Sequence, residues 1–401
     1  MERNKKLNIA ALFENAFPIG FAEANRLLSL SQGINELGHK IKVYCIRPAD
    51  RSPNILNKTA KGNINGLEYI YPAKTTVWPD TKLARILVYI KGLLLTWKIL
   101  RQDNKKEKLD VIISYSYSVI INNLFWIFSR LYKIKFVYLV DEFPYSVLYP
   151  SKHGFLYRWY ELNHFYKIFD LLLVISTPLK EFYAKRIKQN ATIALIPMTV
   201  QPKRFENILA EQVYAKPYFA YAGYLGDDKD GVDILIKAFS IVAKKYKDVL
   251  LVLIGYSNNQ VHHDRLVQLT KEHNIKDKVI FTGRVHRDEI PRYFCNALGL
   301  VLARPDNIQA KGGFPTKLGE YLATGKPVVV TKVGEISDYL KDNHSAFLAE
   351  PNSAESFAEK MIELLKDYEI STKIGKRGQK LTEEVFNYKV QAQRILEFLN
   401  Q

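Results

Sequence analysis

Short apolar runs, each followed by a stretch long enough for a helix, constrain the fold of this chain more than any other feature. Leu7 to Phe13 reads as a strand, and a loop around Pro18-Ile19-Gly20 leads into a helix from about Glu23. Gly38-His39 ends that helix before a strand from Ile41 to Ile46. Strand, helix and strand in this order call for a parallel sheet covered by helices on both faces. Asp110 to Ser114, Phe136 to Val140 and Asp170 to Ser176 continue the series as buried strands. Pro197, Pro202 and Pro217 mark a linker, after which the pattern restarts with Tyr218 to Ala222, Leu250 to Gly255, Val279 to Gly283 and Leu298 to Arg304. The 401 residues suit two domains, 1–200 and 201–386, followed by a last helix from about Asn387 to Leu399.

One stretch concentrates the candidate chemistry: Gly312-Gly313-Phe314-Pro315-Thr316-Lys317-Leu318-Gly319-Glu320-Tyr321-Leu322-Ala323-Thr324-Gly325-Lys326-Pro327-Val328-Val329-Val330. It reads as a glycine loop, a short helix and a buried strand. Gly312 and Gly313 let backbone approach a ligand with no Cβ in the way. Pro315 suits the first helical position, and Thr316 can cap exposed amides. Gly325 stands where a helix ends in a left-handed residue, and Pro327 prevents continuation. The free amides and positive dipole end of such a helix form an anion site. Lys317 adds a full positive charge in the first turn, where the dipole disfavours one, and this points to a ligand phosphate. The alternative is a solvated lysine on an ordinary helix-to-strand turn.

The run from Pro315 to Val328 resembles the donor-binding segment of the family 4 glycosyltransferases. The resemblance implies an α/β chain of GT-B fold, with two Rossmann-like domains whose parallel sheets face a central cleft. It implies transfer of a sugar from a nucleotide-diphosphate sugar, with retention, to a saccharide or lipid-linked acceptor in cell-surface polysaccharide or glycoconjugate synthesis. In that family the glutamate matching Glu320 holds the ribose, and the backbone before it, here Gly313, Phe314, Pro315, Thr316 and Leu318, lines the diphosphate. Many members carry a further glutamate where this chain has Gly312. Gly20 loosely matches a glycine near the diphosphate. Gly223-Tyr224-Leu225 stands where the family has Gly-Arg-Leu, so Tyr224 replaces a cation, while Lys229 matches a lysine that grips the diphosphate. Arg304 or Lys317 is the candidate substitute for the missing arginine. Phe281 to Val285, including Gly283 and Arg284, resembles the segment whose backbone faces the base. Asp141 matches an acceptor-side aspartate, although Val140 replaces its preceding basic residue. The family needs no cofactor and no metal, and its last helix crosses back to the first domain, which gives 387–401 to that domain here.

The residues themselves add further candidates. Asp141 and Glu142 follow a strand, on the sheet edge where ligands bind in open α/β folds; a turn-capping aspartate is the other reading. Tyr145, Tyr149, Tyr157, Trp159 and Tyr160 either stack on sugar rings or pack, and packing is the reading adopted. Asp227, Asp228 and Asp230 lack the spacing of a calcium loop and read as a solvated turn. His262-His263 lacks partner ligands and reads as surface. Asn352 with Glu355 signals a helix start.

Residues 1–200 hold 29 Lys and Arg against 15 Asp and Glu, about +14, whereas the remainder holds 58 − 29 = 29 against 41 − 15 = 26, about +3. The basic half suits anionic lipid, an acidic saccharide or nucleic acid, or is ordinary solvated surface. Leu83, Ile86, Leu87, Ile90, Leu94 and Trp97 fall at helical spacing and read as a core-facing stripe, with a basic amphipathic helix on a membrane surface as the alternative. Two cysteines, Cys45 and Cys295, suit a reducing compartment. The start of the chain lacks a signal-peptide pattern, and no apolar run is long enough to span a bilayer. The expected location is cytoplasmic, with peripheral attachment to the inner face of the plasma membrane as a further expectation. A nucleotide-sugar epimerase and a non-catalytic saccharide-binding subunit remain as other readings. No recognised motif supports nucleic acid as a partner.

Overall fold

The structure, a computed structural model, describes residues 5–52, 55–226 and 229–400. The chain divides into two compact units, Met1–Thr199 with Tyr388–Gln401, and Val200–Asn387.

In unit 1 the strands are β1 Asn8–Phe13, β2 Lys40–Cys45, β3 Lys61–Ile64, β4 Leu67–Ile70, β5 Val111–Tyr115, β6 Lys135–Val140, β7 Leu171–Val174 and β8 Thr192–Leu195. They form one sheet in the order β3-β4-β2-β1-β5-β6-β7-β8. Neighbours are parallel except the hairpin β3–β4. That hairpin turns through Asn65 and Gly66, both with positive φ (50° and 86°), the geometry a two-residue turn requires. Strand order reverses at β1, between β2 and β5, so the loops leaving β1 and β5 flank a topological switch point. Helix α1, Ala22–Glu36, buries Leu27, Leu30 and Ile34 in the same core as Ala392, Ile395 and Leu396 of the C-terminal helix Tyr388–Asn400. A Cβ on Gly33 would lie 2.7 Å from the Ala392 Cβ, so the two helices meet almost backbone to backbone.

Helix α2, Lys82–Lys106, overturns the core-facing stripe. Its buried residues are Gly92, Leu93, Thr96 and Leu100. A Cβ on Gly92 would come within 2.2 Å of the Ile46 carbonyl, so the small side of the helix is the side that fits against the chain beyond β2. Leu83, Leu87 and Leu94 are left 68%, 59% and 66% exposed, with Ile86 and Ile90 beside them. Trp97 alone of the stripe packs inward, edge-on to Phe128 of α3, Val119–Leu131, at 4.9 Å. Among the described residues no helix is long and apolar enough to cross a membrane.

Unit 2 contains β9 Tyr218–Ala222, β10 Leu250–Ile254, β11 Val279–Gly283, β12 Gly299–Leu302, β13 Val328–Thr331 and β14 Phe347–Ala349. Their order is β11-β10-β9-β12-β13-β14, and every pair is parallel. The order reverses at β9, which puts the loops after β9 and β12 side by side at a second switch point. The helix signalled near Asn352 runs from Ala354 to Lys366, and the side chain of Ser353 caps it; Asn352 itself is left-handed at φ 60°.

Arg26 ties unit 1 together from inside. Its guanidinium is fully buried, donates to the carbonyls of Pro197 (2.7 Å) and Ile196 (2.6 Å), and lies 3.0 Å from Asp141 Oδ1. Replacing one member of such a pair leaves a buried charge uncompensated. Arg26→Met should therefore cost about 3–5 kcal/mol, read as a shift of the first unit's urea unfolding midpoint. A cost under about 1 kcal/mol, the worth of a surface pair, would refute this role.

Candidate active site

The loop leaving β9 turns back on itself at Gly231, whose φ of 66° favours glycine and whose Cβ would sit 2.0 Å from the Ala303 carbonyl. This close approach sets Asp230 against the end of β12. Asp230 Oδ2 accepts hydrogen bonds from the Tyr221 hydroxyl (2.9 Å) and from Lys317 Nζ, while Arg304 Nε lies 3.8 Å from Oδ1. Lys317 also donates to the Tyr221 hydroxyl at 3.2 Å and sits over that ring. Burial alone would raise the Asp230 pKa, but Lys317 and then Arg304 overcome it and hold the carboxyl at about 2. A Cβ on Gly223 would lie 2.3 Å from Lys317 Nζ, so glycine there makes room for the lysine.

Several expectations change here. Lys317 is neither solvated nor a lone positive charge; its counter-charge is Asp230, 87 residues earlier. Asp230 is accordingly not part of a solvated turn, while Asp227 and Asp228 lie outside the described residues. The helix runs Thr316–Ala323, so Pro315 is its N-cap and Thr316 its first residue, and no side chain caps it. Gly312 ends a preceding short helix, Ile308–Gly312, and only Gly313 continues as extended backbone. Phe314 is core, packed on Tyr339 and Phe386, and the Leu318 side chain is fully buried, so neither offers a side chain to a ligand. Gly325 has the left-handed φ, 68°, of a helix end.

Glu320, one turn into the helix, is ion-paired to Arg204 Nη1 at 2.5 Å, and Arg204 Nη2 donates to the Arg287 carbonyl. Burial, and next the neighbouring Arg204, lower the Arg287 pKa to about 10. Neither arginine was visible as a site residue in the sequence, since Arg204 stands 116 residues from Glu320 in what reads as linker. Lys229 directly precedes Asp230. Tyr224 meets Tyr256 edge-on at 5.9 Å, and the Arg284 guanidinium lies 4.1 Å over the Tyr256 ring and bonds its hydroxyl. Gly283, at φ 70°, ends β11 beside it. His263 is edge-on to Phe281.

In unit 1, Gly20 lies in the loop between β1 and α1, where a Cβ would come within 2.4 Å of the Ala16 carbonyl oxygen. Asp141, at the end of β6, is buried between Arg26 and the Tyr115 hydroxyl, which donates to Oδ2. Glu14, at the end of β1, accepts from the Tyr117 amide at 2.8 Å and so joins the loops after β1 and β5.

Residues 206–381 match the family described as glycosyl transferases group 1. Over 245 residues the chain is 22% identical to a GDP-mannose-dependent alpha-(1-6)-phosphatidylinositol monomannoside mannosyltransferase of Mycobacterium tuberculosis, covering 57% of this chain and 61% of that protein. Over 155 residues it is 26% identical to N-acetyl-alpha-D-glucosaminyl L-malate synthase of Bacillus anthracis, covering 39% of this chain and 38% of that one. The chain thus spans about two to three fifths of the length of these curated relatives. Among solved structures it superposes on HepE of Anabaena in complex with UDP with a TM-score of 0.72 and 17% identity, over 98% of this chain and 99% of that one. That likeness carries the fold: two parallel-sheet α/β units of GT-B type.

Asp230→Asn should destabilise unit 2 by about 3–5 kcal/mol, because it leaves Lys317 and Arg304 buried without their anion. The carboxyl is held near 2 when folded against an ordinary 3.8, so its contribution is complete above about pH 4 and is lost as pH falls through 2. Urea midpoints of wild type and variant should stay equally far apart between pH 5 and 7 and converge below about pH 4. A gap that widens on acidification would contradict the assignment.

Proposed function

Because residues 206–381 match the group 1 glycosyl transferases, we propose that the protein moves a sugar from a nucleotide-diphosphate donor to a hydroxyl of a saccharide or lipid-linked acceptor, with retention. The carrying observation is the meeting of Lys317, at the helix start Thr316–Ala323, with the Lys229–Asp230 loop at the carboxyl edge of the second sheet. Backbone amides of that helix and its dipole hold the donor diphosphate, with Lys229, Lys317 and Arg304 as the cations around it. Gly223, Gly283 and Gly313 let the backbone come close, Tyr224 and Arg284 border the base, and Glu320 takes the ribose. As the C1–O bond to the diphosphate breaks, these charges stabilise the leaving oxygen. The acceptor oxygen bonds to C1 from the same face and its proton passes to the departing phosphate, with Asp141 on the acceptor side. No metal is needed in this scheme. The mycobacterial relative named for GDP-mannose and the UDP held by HepE support a nucleotide-sugar donor.

In a screen of UDP- and GDP-sugars run in excess chelator, Lys229→Ala should lose about 2–4 kcal/mol of transition-state stabilisation, mostly in kcat. Glu320→Ala should mainly weaken nucleotide binding. Unchanged kinetics in folded Lys229→Ala, or activity that only a divalent ion restores, would sink the corresponding part.

An anionic membrane surface fits unit 1 as the place of a lipid-linked acceptor, from a cytoplasmic location. The stripe of α2 is exposed, Ile120, Ile127 and Leu131 of α3 are exposed on one face, and Phe155, Leu156 and Trp159 project from the helix Phe155–Asn163. These helices are neighbours through Trp97–Phe128 and through the Tyr160–Asn123 hydrogen bond. Lys91, Lys98, Arg101 and Lys105 flank the α2 stripe, and Asp103 is its only acid. Each basic residue near anionic lipid contributes about 1 kcal/mol, which salt screens. The protein should co-sediment with phosphatidylglycerol-containing vesicles at low salt, release at about 1 M, and bind less as Leu87→Glu. Absence of binding at low salt would remove this part.

A further inference from the structure

Unit 1 contains a pocket of about 400 Å³ that the donor chemistry does not use. Tyr117 lines it from the loop after β5, and Tyr145, Tyr149, Lys152 and His153 line it from the segment after β6. The helix Phe155–Asn163 adds Tyr157 and Glu161. The volume is near the lower end of small-molecule sites, about 300–1,000 Å³.

The aromatic rings are arranged as walls. Tyr145 and Tyr149 lie with planes 21° apart and centroids at 6.0 Å, and Tyr117 meets Tyr145 edge-on at 5.7 Å. Across from them the His153 ring stacks on Tyr157 at 5.1 Å. Yet Tyr145 remains 47% and Tyr149 40% exposed, so much of their surface packs against nothing in the unit. The polar groups are few and fixed. Glu161 is only 4% exposed, and its carboxylate accepts from the Ser146 hydroxyl, with the Tyr157 hydroxyl at 3.5 Å. The Tyr117 hydroxyl is buried and has no hydrogen-bond partner among the described residues. A buried phenol in that state is rare and signals a missing partner.

We propose that this pocket binds a pyranose ring of the acceptor, its C–H face stacked on Tyr145 and Tyr149 and its hydroxyls bonded to Glu161 and the Tyr117 hydroxyl. A pyranose has an apolar face of ring C–H bonds and a rim of hydroxyls that donate and accept. Aromatic faces match the first, and a buried carboxylate with an unused phenol matches the second. A lipid chain would leave the Tyr117 hydroxyl unpaired and set hydrocarbon against the Glu161 carboxylate. A phosphate would meet the Glu161 carboxylate, and the Lys152 ammonium, at 4.8 Å, already covers the Tyr149 ring. The assignment rests on the acceptor-side reading of unit 1 given above, and it identifies where that acceptor is recognised.

Saturation-transfer NMR on the full chain tests it with methyl α-D-glucopyranoside, methyl α-D-mannopyranoside and methyl N-acetyl-α-D-glucosaminide as probes. UDP and GDP binding is measured by calorimetry on the same samples. At least one glycoside should bind, and Tyr145→Ala or Tyr149→Ala should weaken it about tenfold, the worth of one stacked ring. Glu161→Gln, which keeps the volume, should weaken it several-fold, and nucleotide affinity should not change in any variant. Both tyrosines are substantially exposed, so the variants fold, as circular dichroism checks. No glycoside binding, or binding that these substitutions leave unchanged, overturns the proposal. If the nucleotides fail to bind, the donor reading falls, while the glycoside arm still decides this one.

Discussion

A carboxylate buried between two cations organises the second unit. Asp230 draws Lys317 and Arg304 toward one point, and those residues belong to the loop after β9, the start of the helix Thr316–Ala323 and the end of β12. The charge cluster fixes their meeting point in addition to apolar burial, and the Tyr221 hydroxyl shares the same carboxylate oxygen. Cations held in this way do not have to reorganise when negative charge develops near them, which is the condition for electrostatic stabilisation to be effective. The position of Lys229, next in chain to Asp230, follows from the same anchor.

Unit 1 uses the same device for a different end. Arg26 neutralises Asp141 and satisfies two carbonyls at the point where the chain leaves the first sheet. With Glu14 bonded to the Tyr117 amide, the loops after β1, β5 and β6 are fixed from beneath. What they present above is aromatic and only partly covered. The rigid charged layer and the open aromatic layer are complementary: the first fixes geometry, and the second leaves surface for a partner.

Close backbone approach decides which face of α2 is hidden. Gly92 and Thr96 allow the helix to lie against the residues following β2, at a distance no leucine would permit. Large apolar side chains are thereby forced outward, although their spacing is that of a core stripe. Hydrophobic periodicity measures amphipathicity, and it is silent on whether the apolar side or the small side meets the sheet.

Much of the architecture was legible in the residues. β1, β2, β5, β6, β7 and β9 to β13 begin and end within a few residues of the apolar runs that announce them, because strand burial in a parallel sheet writes itself as continuous apolar sequence. The Thr316–Ala323 helix, its left-handed Gly325 and the strand after it were readable for the same reason: caps, propensity and periodicity act over a few residues. The partners of charged groups were not. Lys317 finds Asp230 across 87 residues and Glu320 finds Arg204 across 116, and nothing local in either pair signals the other. The outward face of α2, the aromatic pocket and the burial of Asp141 belong to the same class. Local sequence determined the elements and their order, because short-range hydrogen bonding and apolar patterning suffice for that. Tertiary structure alone decided which charges meet and which faces stay bare, because those outcomes depend on distances between segments that only packing brings together.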